Sequence, residues 1–279
     1  LGEADLLRRA MGKKIRAEME KQRERFVEGA TRNGVTKSQA ETIFELLAKF
    51  ADYGFNKSHA AAYALVSYHT AYMKAHYPVE FIAASMTLDL NNTDKLSEFR
   101  AEAQRLGIKV EPPSINRSGP TFEVSDNTIY YALAALKGVG PQAIELIVEA
   151  RNKGGRFTSL ADFAARVNPR AINKRIIESL AAAGAFDVLD SNRARVFAGA
   201  DAIVAACQRA HEAETSGQND MFGNAADAPT IVLPQVENWL PAERLRREYD
   251  AIGFFLSGHP LDDYATALKR LRVQSWAEF

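Results

Sequence analysis

The stretch Leu136-Lys137-Gly138-Val139-Gly140, followed directly by Pro141, predicts a tight turn between two helices. Glycine has no side chain and tolerates backbone angles that other residues avoid, so such a turn can approach another molecule closely. Pro141 suits the first position of a helix, and the unpaired N–H groups of that helix would point toward the same place. These features favour contact with a phosphate backbone.

The residues on both sides of this turn follow the helix-hairpin-helix pattern. Apolar side chains recur at the spacing of a helix pair, with the two glycines between them, at Leu133, Leu136, Ala143 and Ile147. Binding of this kind reads the nucleic-acid backbone and not the base sequence. Lys137, Gly138 and Gly140 are therefore candidate DNA-binding residues, and an ordinary helix turn without a ligand is the alternative. A second half of the motif is expected at Ile172, Ile176, Ile177, Leu180 and Gly184.

The second informative stretch, Phe55-Asn56-Lys57-Ser58-His59-Ala60, lies at the start of an apolar helix predicted over residues 59–77. Free N–H groups, the positive end of the helix dipole and Lys57 together would seat a phosphate. His59 could donate to a phosphate oxygen or protonate a leaving group. A polar helix cap with a solvated lysine is the alternative. Because the helix is apolar on nearly every side, we expect it to be buried.

A basic cluster near the start of the chain comprises Arg8, Arg9, Lys13 and Lys14. Arginine binds phosphates through paired, charge-assisted hydrogen bonds. Acidic residues flank the cluster, so a solvated helix face with internal ion pairs is an equally good interpretation of the spacing.

The amino-acid composition limits the class of protein but does not indicate what the protein binds. Among 279 residues, 35 basic residues balance 35 acidic ones, so any nucleic-acid site must be a local patch. Hydrophobic residues make up 47%, enough for a core and about two domains. The single cysteine, Cys207, excludes an internal disulfide and suits a reducing cytosol. No apolar run approaches the roughly 20 residues of a membrane span. The chain starts without Met, and we expect it to be an internal piece of a longer protein.

The periodicity predicts a mainly α-helical fold with one small β-hairpin. The hairpin is expected over residues 121–124 and 128–131, around Ser125-Asp126-Asn127. Thr36 with Gln39 resembles a capping box, and Thr93 is the predicted cap of a later helix. Helices are predicted over residues 3–30, 79–90, 94–106, 132–137, 141–152, 159–166, 170–183 and 191–213. Residues 214–238 are small, polar and proline-containing, which indicates a linker before a helix at Pro241.

Within that linker, Gln218-Asn219-Asp220-Met221-Phe222 places an adjacent Met-Phe pair between glycines. Such a pair could fill a hydrophobic pocket on a partner, with Gln218 fixing the register. Folding back onto its own domain is the alternative. Zinc-ligand spacing, a Ser/His/Asp arrangement, a P-loop and a dinucleotide fingerprint are all missing from the sequence. No pair of carboxylates on a strand is suited to two metal ions.

With these residues in hand, the chain resembles the C-family of bacterial replicative DNA polymerases, the DNA polymerase III alpha subunits. The likeness runs in family order through stretches at residues 1–14, Tyr53 to Leu65, Lys74-Ala75-His76-Tyr77-Pro78, Lys137-Gly138-Val139-Gly140 and Ser257-Gly258-His259-Pro260. It implies a fingers portion at residues 1–111, a tandem helix-hairpin-helix domain at 112–213 and a linker with a clamp-binding motif at 214–240. Residues 241–279 would lead toward an OB-fold domain.

The resemblance also implies roles for particular residues. Arg8, Arg9, Lys57 and His59 would face the triphosphate of an incoming dNTP. Gln218, Asp220, Met221 and Phe222 would bind the ring-shaped sliding clamp, with Met221 and Phe222 as the plug.

For the longer enzyme, the resemblance implies nucleotidyl transfer with Mg²⁺ by a cytoplasmic bacterial DNA-directed DNA polymerase. Its partners are duplex DNA and the other subunits of the replicative holoenzyme. The catalytic aspartates of the family lie upstream of this chain, which is therefore expected to be inactive alone and to hold no metal. A non-enzymatic DNA-binding or repair module and a purely helical scaffold are the two rival interpretations.

Overall fold

A computed structural model describes residues 2–12, 16–53, 57–216 and 230–273. The contacts divide the chain into two compact units, Leu1–Tyr72 and Met73–Phe279. The fold is mainly α-helical with one small sheet, as the sequence predicts. Among the described residues, no helix combines the length and apolar character that crossing a bilayer requires.

The first unit contains helices α1 (Gly2–Gly12), α2 (Arg16–Arg32), α3 (Lys37–Tyr53) and most of α4 (Lys57–His76). The first three pack together around Ala10, Met19 and Phe44. One continuous helix was expected over residues 3–30, but α1 ends at Gly12, where glycine weakens a helix by about 1 kcal/mol. The capping box is confirmed, because the Gln39 amide donates to Thr36 Oγ1 at 3.4 Å and the Thr36 amide donates to Gln39 Oε1 at 3.3 Å.

Helix α4 corrects the prediction of a buried helix. All of its residues are exposed, and the exposed fractions reach 58% at Tyr63 and 62% at Tyr68. The hydrophobicity of a side chain predicts that it favours burial. Whether it is buried also depends on a neighbouring element that covers it, and none of the described residues covers α4.

After the last residues of α4, the second unit continues with α5 (Pro78–Leu88) and α6 (Thr93–Arg105). A sheet of β1 (Lys109–Glu111), β2 (Glu123–Ser125) and β3 (Thr128–Tyr130) follows. The strand order is β1-β3-β2. The predicted hairpin is confirmed, since β2 and β3 pair antiparallel through a turn in which Asp126 and Asn127 have φ of 48° and 58°. The parallel strand β1 was not predicted. The cap of α6 is Asn92, one residue before the predicted Thr93, and its side chain accepts from the Lys95 amide at 3.2 Å.

The rest of the second unit is built from helices, most of which pack on one continuous apolar core, whereas the last, α13, buries no residue. These are α7 (Pro141–Gly154), α8 (Leu160–Arg166), α9 (Lys174–Ala182), α10 (Arg193–Ala198), α11 (Ala200–Ser216), α12 (Pro241–Ile252) and α13 (Ala265–Arg270). The helices expected over 170–183 and 191–213 are each interrupted, because Asn173 caps α9 and Gly199 separates α10 from α11. Helix α12 begins at Pro241 and ends at Gly253, which has φ of 104°. The domain boundaries given above remain predictions.

Candidate nucleic-acid interface

The turn before α7 presents backbone donors to solvent. Lys137, Gly138 and Gly140 are exposed, whereas Leu136 and Val139 are buried and hold the turn to the core. Gly138 has φ of +79°, a left-handed conformation that favours glycine. The Val139 amide donates to the Leu136 carbonyl at 3.1 Å, but the Gly138 and Gly140 amides donate to no backbone carbonyl of the described residues. Two donors, on either side of Val139, are therefore left for an external acceptor.

The position of this turn is fixed from two sides. The Lys137 amide donates to the Ala251 carbonyl, near the end of α12, at 2.8 Å. On the other side, Ser179 of α9 donates through its hydroxyl to the Lys137 carbonyl at 2.9 Å. Because both peptide groups of Lys137 are held, the exposed donors that follow it are preorganised and need no ordering when a ligand binds.

Space is available where a backbone would approach. A Cβ atom placed on Gly140 would meet nothing within 4 Å. The turn also borders a cleft of about 320 Å³, which is lined by residues 134–140 together with Leu90, Asn91 and Thr93. Asn91 and Thr93 contribute polar side chains to the lining of this cleft.

Two cationic side chains lie at the turn. The Lys137 ammonium is 5.7 Å from the centre of the Tyr249 ring, a weakly attractive cation–π distance. Arg175, on the first turn of α9, lies so close to Gly138 that a Cβ atom there would be 2.8 Å from its Nε. Sequence reasoning missed Arg175, although adjacent cations in Asn173-Lys174-Arg175 at a helix start could have drawn attention to it.

The predicted second half of the motif lies on α9 and on the residues directly before and after that helix. Ile172, Ile176, Ile177 and Leu180 are all buried. Gly184 has φ of +85°, and a Cβ atom there would be 2.2 Å from Nη2 of Arg193. These residues therefore pack the core and shape the chain after α9.

Comparison with known families gives two matches. The family described as the helix-hairpin-helix motif matches residues 107–196, which include the turn. The family described as the bacterial DNA polymerase III alpha subunit finger domain matches residues 1–34. The chain is homologous to a segment of the bacterial DNA polymerase III alpha subunit.

The alpha-subunit relatives are much longer than this chain. DNA polymerase III subunit alpha of Caulobacter vibrioides (strain NA1000 / CB15N) is 51% identical over 278 residues, which cover 100% of this chain and 24% of the relative. The Vibrio cholerae protein is 51% identical over 274 residues and that of Escherichia coli (strain K12) is 48% identical over 275 residues. Each of these two matches covers 97% of this chain and 24% of the relative.

Four residues are predicted, from the resemblance, to bind the nucleotide, and they lie two on α1 and two on α4. Arg8 and Arg9 are both exposed, and both pair with Asp5, at 2.7 and 2.8 Å. This arrangement is the ion-paired helix face that was the alternative for the cluster, and a phosphate would have to displace the carboxylate. Lys57 and His59 share the first turn of α4, where the His59 ring lies 4.2 Å from that of Tyr63. Their joint action on one triphosphate stays a prediction.

Several predicted positions lie outside the described residues. These are Lys13 and Lys14 of the basic cluster and Gln218, Asp220, Met221 and Phe222 of the clamp motif. Within the described part of the chain, no group of three or more His, Cys, Asp or Glu could hold a metal ion. The described residues therefore offer no such set of ligands for the Mg²⁺ that the resemblance implies for the longer enzyme.

Proposed function

We propose that this chain binds duplex DNA without sequence preference, as part of a bacterial DNA-directed DNA polymerase. The observation that carries the proposal is the Lys137–Gly140 turn, in which the exposed Gly138 and Gly140 donate to no backbone carbonyl of the described residues and Gly140 leaves open space for close approach. Backbone amides and nearby cations recognise phosphates, and phosphate contacts do not depend on base sequence. The homology to alpha subunits supports this assignment.

A titration of a fluorescent duplex with the 279-residue chain over a range of salt tests the proposal. Affinity should fall steeply between about 50 and 200 mM salt, and unrelated duplex sequences should bind alike. Gly140→Ala should weaken binding, because a methyl group would occupy the space that a phosphate needs. The fold should tolerate this change, since Gly140 has a φ of −84° and no neighbour at its Cβ. A salt-independent or absent affinity would favour the helical scaffold.

The nucleotide site is a second part of the proposal. We assign Arg8, Arg9, Lys57 and His59 to the dNTP triphosphate, where preorganised cations would offset charge in the transition state. Arg9→Ala in the complete alpha subunit should lower the specificity constant for dNTP. The corresponding rise in activation free energy should be about 2–4 kcal/mol, the cost of losing one preorganised donor. Asp5→Asn, which frees both arginines from their carboxylate, should not lower it. An unchanged constant in Arg9→Ala would contradict the assignment.

Attachment to the sliding clamp is the third part. Met221 and Phe222 would fill an apolar pocket on the clamp, and the linker would raise the effective concentration of the polymerase at the primer end. Met221→Ala with Phe222→Ala should abolish clamp binding and leave duplex binding unchanged. Retained clamp affinity would place the contact elsewhere.

In the longer enzyme, a primer hydroxyl would attack the α-phosphate of a dNTP and pyrophosphate would leave, in the bacterial cytoplasm and within the replicative holoenzyme. This chain would contribute positioning of the two substrates. We expect the purified chain to extend no primer. Template-dependent incorporation by the chain alone would overturn that expectation. The rival, a non-enzymatic repair module, leaves the finger-domain match at residues 1–34 unexplained.

A further inference from the structure

Helix α9 brings one arginine to the glycine turn. Arg175 and Ser179 are four residues apart and therefore lie on the same face of α9. Ser179 donates to the Lys137 carbonyl at 2.9 Å, which places this face against the turn. The Arg175 guanidinium occupies the space beside Gly138, since a Cβ atom there would be 2.8 Å from Nε and 3.4 Å from Cζ.

The charge of Arg175 is not neutralised within the protein. Among the described residues, no carboxylate or other acceptor pairs with its guanidinium, whereas the adjacent Lys174 forms an ion pair with Asp201 at 2.7 Å. Arg175 is exposed and belongs to the same surface as Lys137 and the free amides of the turn. An exposed guanidinium next to free amide donors forms a composite site for an anion.

We propose that Arg175 is a phosphate-binding residue that completes the turn, so that its guanidinium and the Gly138 amide hold the same phosphodiester of duplex DNA. The proposal rests on the DNA-binding function proposed above. Arginine suits this role because its planar fork can donate two parallel hydrogen bonds to phosphate oxygens. The tight approach to Gly138 explains why a side chain at that position would displace the guanidinium.

Duplex titrations of Arg175→Ala, Arg175→Lys and Lys174→Ala across salt test this role, with urea unfolding to verify each fold. Arg175→Ala should weaken affinity about tenfold, the loss of one charge-assisted contact. It should also lower the slope of log affinity against log salt by about one, as expected for one phosphate contact. Arg175→Lys should keep the slope and recover part of the affinity, because lysine supplies the charge without the fork.

Lys174→Ala is the matched control. Lys174 also lies at the start of α9, but its ammonium is already paired with Asp201. It should change affinity less than about twofold. An equal loss in Lys174→Ala and Arg175→Ala would show a diffuse charge effect and overturn the proposal. So would Arg175→Ala binding like the parent. If Gly140→Ala loses affinity while Arg175→Ala does not, only this inference fails; if neither variant changes binding, the proposed DNA contact fails too.

A double-mutant cycle gives an independent readout. Gly138→Ala should push the guanidinium away, and it also strains the turn in both backgrounds because φ is +79°. Its total effect on duplex affinity should therefore be smaller in the Arg175→Ala background than in the parent, though not zero. Additive effects of the two changes would contradict a shared phosphate.

Discussion

The guanidinium of Arg193 and the carboxylate of Glu248 form a buried ion pair, with Nη1 and Oε2 3.4 Å apart and side chains 9% and 2% exposed. Glu248 Oε1 also accepts from the amides of Leu256 and Ser257 at 3.0 and 2.8 Å. Arg193 is further paired with Asp187 at 2.7 Å. The pair joins α10 to α12, and α12 in turn supplies the Ala251 carbonyl that holds the Lys137–Gly140 turn.

Glu248→Ala should lower the free energy of unfolding of the second unit by about 3 kcal/mol. The change leaves the buried Leu256 amide and part of a guanidinium without an acceptor, and it also removes the acceptor of the more exposed Ser257 amide. Urea unfolding followed by circular dichroism measures the loss. Glu149→Ala removes the carboxylate of an exposed pair with Lys153, and it should cost less than about 1 kcal/mol. Equal losses in the two variants would mean that the buried pair has no special role.

Acid should destabilise the contact between the end of α4 and α6. Hydrogen bonds from Arg105 and Lys74 lower the pKa of Glu102 from 4.5 to about 2. A carboxylate whose pKa is lower in the folded state stabilises the fold above its unfolded pKa, and this contribution is lost as pH falls from about 4.5 to about 2. Glu102→Gln should therefore flatten the dependence of the urea midpoint on pH in that window. An identical pH profile in variant and parent would count against these contacts.

Tyr131→Phe should leave stability unchanged or raise it by about 1 kcal/mol. The Tyr131 side chain is fully buried, and its hydroxyl finds no hydrogen-bond partner among the described residues. Removing a buried, unsatisfied hydroxyl relieves a desolvation cost while the ring keeps its contact with Phe122, 5.0 Å away between centroids. Urea unfolding of the variant checks this, and a loss of more than about 1 kcal/mol would reveal an unseen partner for the hydroxyl.

Cys207 should react with thiol reagents only after unfolding. It is fully buried in α11, and burial raises the pKa of its thiol to about 12, so the reactive thiolate is scarce near pH 8. In native buffer, the labelling rate should be proportional to the small fraction of molecules in which Cys207 is transiently exposed. The rate should rise steeply through the urea unfolding transition. Rapid labelling without denaturant would contradict the packing of α11.

Local signals in the sequence predicted much of the architecture. The Asp126-Asn127 turn and the start of α12 at Pro241 follow from backbone preferences of the residues themselves. The cap of α6 was misplaced by one residue, because Asn92 and Thr93 are adjacent and both are capable of capping. Strand β1 was missed, since three residues are too few to establish a period and they pair with a strand further along the chain.

The sequence by itself determined the glycine turn at Gly138 and the helix that follows it, because φ preferences and helix starts are local properties of the chain. Only the tertiary structure decided which cations stay available at that turn. Lys174 and Arg175 are neighbours in sequence, yet one meets Asp201 and the other meets Gly138. The reason is that electrostatic pairing depends on distance in space, and burial likewise depends on neighbours, as the exposed α4 shows.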